Sequence, residues 1–210
     1  QASITEYLNA VLLYSLLQKQ EHDFHLRLRP VRIAMPVNLR RFFPSKTLRN
    51  FITMVYPSID PRLGDYTFEE IVTQVHHYMR YYINSKFLRG DITTNASTQR
   101  NPLIRIVPLF LKDFVVRQFY QRVQDKNSSA GLTNMGAIRV PDDMKPYLER
   151  FDIYMGIPYS QRTNCAIVSF EDTLTVNFAS CIIEADVERR FFQKLVEDGI
   201  PVTIESNREL

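Results

Sequence analysis

The chain has 210 residues, 45% hydrophobic and 23% charged, with 26 Lys and Arg against 23 Asp and Glu for a formal net charge of +3. This composition excludes a disordered chain, and the small net charge is by itself no argument for a nucleic-acid partner. The longest apolar region, Leu103 to Val116, is broken by Arg105, Pro108, Lys112 and Asp113, so the sequence predicts no transmembrane helix.

Ser3-Ile4-Thr5-Glu6 forms a capping box, and the apolar residues Ile4, Tyr7, Leu8, Val11, Leu12 and Leu16 carry a helix from there to about Gln20. Val31, Ile33, Met35 and Val37 alternate with Arg32, Ala34 and Pro36 as in a strand, and Pro36 points to a sheet edge or a strand end. Asn50 to Pro57 reads as a second, more fully buried strand. A second capping box, Thr67-Phe68-Glu69-Glu70, opens an amphipathic helix through Ile83 with Gly90 near its end, followed by a polar connection over 91–100. Asn101-Pro102 starts another helix to about Val123, kinked near Pro108.

After a loop over 124–130, three strands are expected at Leu132 to Val140, Cys165 to Phe170 and Thr173 to Ile183. Asp186 to Val196 is a helix with Val187, Phe191 and Leu195 on one face, stopped by Gly199, and Ile200, Val202 and Ile204 read as a last strand. No internal repeat or composition break divides the chain. The order α, β, β, α, α, β, β, β, α, β therefore predicts one α/β domain over 1–210, a mixed sheet with helices packed on it. Cys165 and Cys181 fall in successive strands but out of register. No disulfide is expected, and a reducing, cytoplasmic compartment is the default.

His76-His77 lies inside an amphipathic helix, where two surface histidines are the simpler reading than a catalytic pair. His22 and His25 have spacing compatible with a metal site but no third ligand at a recognisable spacing, so no metal is assigned. The sequence contains no GxSxG, GxxxxGK[ST], GxGxxG or CxxC motif. Asp142 and Asp143, like Glu171 and Asp172, sit in turn contexts and read as solvated turn residues. Phe24 to Ile59 holds no acidic residue and carries Arg27, Arg29, Arg32, Arg40, Arg41, Lys46 and Arg49. That concentration of charge reads as a solvated face or as a site for an anionic cofactor tail; a nucleic-acid surface ranks last, since the net charge is modest and Phe42, Phe43 and Phe51 are more simply core or lip residues than a stacking array, so no nucleic-acid partner is expected.

Arg32-Ile33-Ala34-Met35-Pro36-Val37-Asn38-Leu39-Arg40, followed by Leu48-Arg49-Asn50-Phe51, resembles the stretch that opens the second half of the two-lobed chloramphenicol-acetyltransferase-like enzymes. Alcohol acetyltransferases, condensation domains and BAHD-type acyltransferases belong to that group. Gly131-Leu132-Thr133-Asn134-Met135-Gly136-Ala137-Ile138 resembles the strand that carries a Ser, Thr or Asn beside the reaction centre, and Thr173 to Gly199 resembles the strand, loop and helix that close the lobe.

The resemblance implies a two-layer sandwich forming the C-terminal lobe of an acyltransferase. Such an enzyme moves an acyl group from a coenzyme A or carrier-protein thioester to an alcohol or amine, with acyl-CoA as co-substrate and no tightly bound cofactor. The family's HHxxxDG motif is missing: His76-His77 continues as Tyr78-Met79-Arg80, and the comparable junction, Asn177 to Glu184, holds no histidine. The opening at Gln1 fits a longer natural chain, so the general-base histidine is expected in an absent N-terminal lobe and the chain alone is expected to be inactive. Thr133 and Asn134 become candidate oxyanion or substrate contacts, against ordinary sheet polarity. Arg40 and Asn50 become candidates to line the tunnel between the lobes or to face the pantetheine and phosphates, against inter-strand structural roles. A lone lobe would expose its inter-lobe face and self-associate. The rival reading is a non-catalytic binding domain of the same fold that uses 24–59 for an anionic partner.

Overall fold

Both expected capping boxes form. At the start of α1 (Ile4–His22), Ser3 Oγ accepts the Glu6 N–H at 3.3 Å and the Glu6 carboxylate accepts the Ser3 N–H at 2.7 Å. At the start of α2 (Phe68–Tyr82), Thr67 and Glu70 make the same reciprocal pair at 3.3 and 2.8 Å. Each pair satisfies backbone N–H groups that a helix N-terminus leaves without an intrahelical partner. The computed structural model describes residues 2–23, 27–100, 108–109, 111–114, 117–118, 128–157 and 161–207, without the side chains of 95 and 98–100.

Leu8, Ala10, Val11, Leu12, Leu13 and Leu17 of α1 are all buried, more of the helix circumference than a single apolar stripe would cover. The reason is its central place: α2 flanks it, α4 (Asp186–Glu197) flanks it too, and it also packs on β1 (Val31–Asn38). A helix buried on several sides needs apolar residues on several sides. In α4, Val187, Phe191 and Leu195 form the expected inward stripe, and Gly199 follows at φ 80°, a conformation that favours glycine.

Among the described residues the sheet contains six strands. Five of them run in the order β2 (Ile52–Val55), β1, β4 (Ala130–Ala137), β5 (Thr163–Phe170), β6 (Thr173–Ser180), and β3 (Ser58–Ile59) pairs with the first residues of β1. β1, β4 and β5 are mutually parallel, while β2 and β3 run antiparallel to β1 and β6 antiparallel to β5. The sheet is therefore mixed and open. Ile33, Met35, Val37, Leu132, Cys165, Ile167, Val176 and Phe178 pack in the core that the sheet shares with the helices. On the other face, the segment 150–157 covers part of β5 and β6. Phe151 meets Phe170 edge-on at 5.1 Å between ring centroids, Asn164 Nδ2 donates to Gly156 O at 2.8 Å, and Asn177 Nδ2 donates to Asp152 Oδ1 at 3.2 Å.

Four expectations need correction. Asn50 to Pro57 is not a buried strand but the sheet edge. β2 and β3 keep one register against β1 (Met35 opposite Val55, Val31 opposite Ile59), and between them Pro57 O accepts the Ile33 N–H at 3.0 Å. Thr53 and Val55 turn one way and Ile52 and Met54 the other, where they stay exposed. Pro36 lies on an interior strand. β1 pairs with β4 only at Ile33 with Ala130 and Ala34 with Gly131, and Pro36, lacking an N–H, stands where the ladder ends.

The helix from Thr67 ends at Tyr82, and the polar stretch 91–100 is not a connection. Asn84 Oδ1 accepts the Lys86 and Phe87 N–H groups, both at 3.0 Å, and so caps α3 (Ser85–Arg100), which carries Gly90 inside it. Thr93 and Thr94 fit a helix because each hydroxyl donates to the carbonyl four residues back. Finally, 200–204 forms no strand. The tail is tied by Arg150, which donates to both carboxylate oxygens of Glu205 at 2.8 and 2.7 Å. The expected helix over 101–123 lies mostly outside the described residues, of which 109, 111–114 and 117–118 are helical.

β5 and β6 form a hairpin with eight register pairs, from Thr163 opposite Ser180 to Phe170 opposite Thr173, and Glu171 takes φ 48° in the two-residue turn. Cys165 stands opposite Phe178, Cys181 lies past the strand end, and both thiols are free.

Candidate functional site

The four residues singled out in the sequence fall in two places along the sheet. Thr133 and Asn134 lie in the middle of β4, whereas Arg40 follows β1 and Asn50 precedes β2. Asn38 stands opposite Ile52, and the Leu39 N–H donates to Phe51 O at 3.1 Å, which carries the same register on to Arg40 and Asn50. Arg40 and Asn50 thus lie past the carboxyl end of β1, the end at which open α/β sheets bind ligands, whereas Thr133 and Asn134 lie within the β4–β5 ladder.

Their side chains do not all converge. Neighbouring residues on a strand point to opposite faces. Asn134 turns toward the helices, where its Nδ2 donates to Thr5 Oγ1 at 2.9 Å and its Oδ1 accepts the Gly136 N–H at 2.8 Å. Thr133, half-buried, faces the other way. One anionic oxygen therefore cannot be held by both. Directly after them, β4 carries a bulge. Asn134 stands opposite Ile167 but Ala137 opposite Ser169, so β4 has one extra residue, with Gly136 at φ 75°. The bulge re-aims the strand end and leaves Met135 exposed.

Arg40 is committed to its own loop. Its Nη2 donates to Thr47 O at 2.9 Å and to Arg49 O at 2.7 Å, while its N–H donates to Asn38 Oδ1 at 3.0 Å. The guanidinium thus organises the connection from β1 to β2. Asn50 is exposed beside it, as are Arg41, Lys46 and Arg49 of the same connection, while Arg27 and Arg29 are exposed ahead of β1, at its other end.

A polar cluster that the sequence did not reveal lies in the helix layer. Glu6 is only 5% exposed. Its Oε2 takes the Ser3 N–H and stands 3.2 Å from His76 Nδ1. Burial pushes the Glu6 carboxyl up, but the hydrogen bonds from Ser3 and His76 outweigh burial and hold it below the usual carboxylate range. Nearby in sequence, Asn9 is fully buried. Its Nδ2 lies 3.9 Å from Met35 Sδ and its Oδ1 has no protein partner. The signal for Glu6 was an acidic residue within a helix otherwise apolar nearly all round, but the capping box already accounted for it.

His76 is therefore a helix residue tied to a buried carboxylate, and His77 meets its ring edge-on at 5.6 Å. Among the described residues every histidine is in the helix layer (His22 in α1, His76 and His77 in α2), while His25 lies outside them. Asp142 and Glu171 both pair with Lys145, at 2.9 and 3.3 Å, in turns. Among the described residues no three His, Cys, Asp or Glu side chains gather as metal ligands, and no helix is long and apolar enough to cross a membrane. No protein-family model matches the chain, and no curated protein matches it.

Proposed function

We propose that the chain is the C-terminal lobe of a chloramphenicol-acetyltransferase-like acyltransferase, working in a reducing cytoplasm on an acyl-CoA or carrier-protein thioester and an alcohol or amine. A base supplied from outside these residues removes the acceptor proton. The acceptor oxygen or nitrogen then attacks the thioester carbonyl, and the tetrahedral oxyanion collapses with release of the thiolate, which takes the proton back from the base. The observation that supports this reading is the position of Thr133. It is a hydroxyl donor midway along an interior parallel strand, shortly before a glycine bulge, on the face away from the helices.

In this reading Thr133 donates to the oxyanion, and Asn134 acts from behind the strand by fixing α1 to β4 through Thr5. A lost oxyanion donor costs about 10² to 10³ in rate, and a lost general base about 10² to 10⁴. The test uses the complete polypeptide with a panel of acyl thioesters and small alcohols and amines. Thr133→Val is expected to lower kcat by about a hundredfold with KM held; unchanged turnover removes the proposal. Turnover by residues 1–210 alone would overturn the placing of the base outside them.

The exposure of Arg27, Arg29, Arg41, Lys46 and Arg49 supports the second reading, a non-catalytic domain that binds an anionic partner through 24–59. It predicts salt-sensitive polyanion binding that charge reversal at Arg41 and Lys46 abolishes, with no acyl transfer by the complete polypeptide.

A further inference from the structure

Among the described residues β6 is an edge strand, and its own sequence carries none of the residues that keep edges from pairing. In its antiparallel register with β5, the Cys181 N–H donates to Arg162 O at 3.0 Å, and strand alternation then directs the backbone groups of Thr173, Thr175, Asn177 and Ala179 to β5. The N–H and C=O groups of Leu174, Val176, Phe178 and Ser180 point the other way, and among the described residues no strand pairs with them. The run Thr173-Leu174-Thr175-Val176-Asn177-Phe178-Ala179-Ser180-Cys181-Ile182-Ile183 holds no charge, no proline and no glycine. Its eight register pairs contain no bulge. Natural edges are blunted by lysine, proline, bulges or shortness. The opposite edge of the same sheet shows such blunting: β2 has four residues and is separated from β3 by Tyr56-Pro57.

We propose that β6 pairs antiparallel with β6 of a second copy of this chain, joining two sheets into one. The occupant follows from the edge itself, which is self-complementary. A two-fold axis through Asn177 sets Leu174 opposite Ser180 of the second copy and Val176 opposite its Phe178. All four outward positions of both strands then find backbone partners. On the helix side this places a β-branched residue against an aromatic one, a favourable cross-strand pair. Asn177 faces its own copy without like-charge repulsion, and nothing in the run discriminates against self-pairing. Leu174, exposed at the start of the run, loses water in the pair. Two eight-residue strands make a smaller contact than the ~1,200–2,000 Å² of standard interfaces, so the dimer is concentration-dependent. This inference does not rest on the acyltransferase reading, and it uses a strand edge, not a sheet face.

Sedimentation velocity across a concentration series, combined with amide hydrogen exchange on the same samples, tests it. Dimer formation is expected, with the Leu174, Val176, Phe178 and Ser180 amides becoming protected as the dimer fills. Leu174→Pro removes an outward donor on each strand without touching the β5 ladder and should weaken the dimer roughly tenfold to thirtyfold, the effect of two backbone hydrogen bonds. Leu174→Ala keeps the donor and should keep the dimer. A chain that stays monomeric at every concentration overturns the proposal, as does a dimer in which these four amides exchange freely.

Discussion

Asn164 Oδ1 accepts the Gly131 N–H at 2.9 Å, in a space so close that a Cβ on Gly131 would meet that oxygen at 2.6 Å. Asn164 is 1% exposed, and its Nδ2 donates to Gly156 O at 2.8 Å, so one side chain ties β4 to the segment that covers the far face of the sheet. Gly131→Ala must displace a side chain anchored at both ends and is expected to destabilise the fold by about 1–3 kcal/mol. Asn164→Ala strands the buried Gly131 N–H, at a cost of about 1–3 kcal/mol. Urea denaturation of both variants checks this, and stability within error of wild type would show that the clamp contributes nothing.

Glu6 makes stability pH-dependent with a definite sign. Its carboxyl is held below the ordinary value of about 4.3, so in acid the unfolded chain binds more protons than the folded one. The stabilisation is full above the ordinary value and is lost as pH falls through the lower, folded one. Glu6→Gln should cost about 1 kcal/mol near neutrality. In pH-dependent denaturation its deficit against wild type should shrink as the pH drops below about 4; a deficit that stays constant from neutral pH into that range would refute the assignment.

Thr133 and Asn134 should separate in their effects. Asn134→Ala removes the bond to Thr5 and the acceptor for the Gly136 N–H, so it should lower stability by about 1–2 kcal/mol. Thr133→Val is nearly isosteric on the opposite face and should leave the melting temperature little changed while lowering turnover of the complete polypeptide. Thermal melts of the two variants, set beside their kinetics, distinguish a structural residue from a substrate contact.

Asn84 alone starts a helix that the sequence did not suggest. Asn84→Ala should cost about 0.5–2 kcal/mol and speed amide exchange at Lys86 and Phe87, because their N–H groups lose the Oδ1 acceptor. Exchange at the start of α1, capped independently by Ser3, should not change.

The two thiols should differ sharply in reactivity. Cys181 is exposed, whereas Cys165 is fully buried and burial pushes its thiol well above the ordinary range. Titration of the native protein with a thiol reagent should give one fast equivalent, and denaturant should release the second. Two fast equivalents would contradict the packing of Cys165 opposite Phe178.

Opposite faces for Thr133 and Asn134 were legible without a structure, since adjacent positions on any strand alternate. The convergence of the two side chains was an expectation carried by resemblance. The edge position of Ile52–Val55 was not legible in the same way. A short apolar run reads alike in the middle of a sheet and at its rim, and only the pairing partner distinguishes them. The helix over 85–100 was hidden because threonine, asparagine and serine favour loops, and the Thr93, Thr94 and Ser97 hydroxyls turn back onto carbonyls only once the helix has formed.

The sequence by itself determined what depends on neighbours within about one helical turn or one strand. Both capping boxes, the Val187, Phe191 and Leu195 stripe, the alternation of Val31 to Val37 and the hairpin from Thr163 to Ser180 are of this kind. Tertiary structure decided what depends on residues far apart in the chain. It brought Glu6 to His76 and Asn164 to Gly131, placed Pro36 where the β1–β4 ladder ends, and left β6 with an open edge. Those relationships follow from which strand lies beside which, and strand order is set by the joint burial of α1, α2 and α4 against the sheet, a condition no single segment contains.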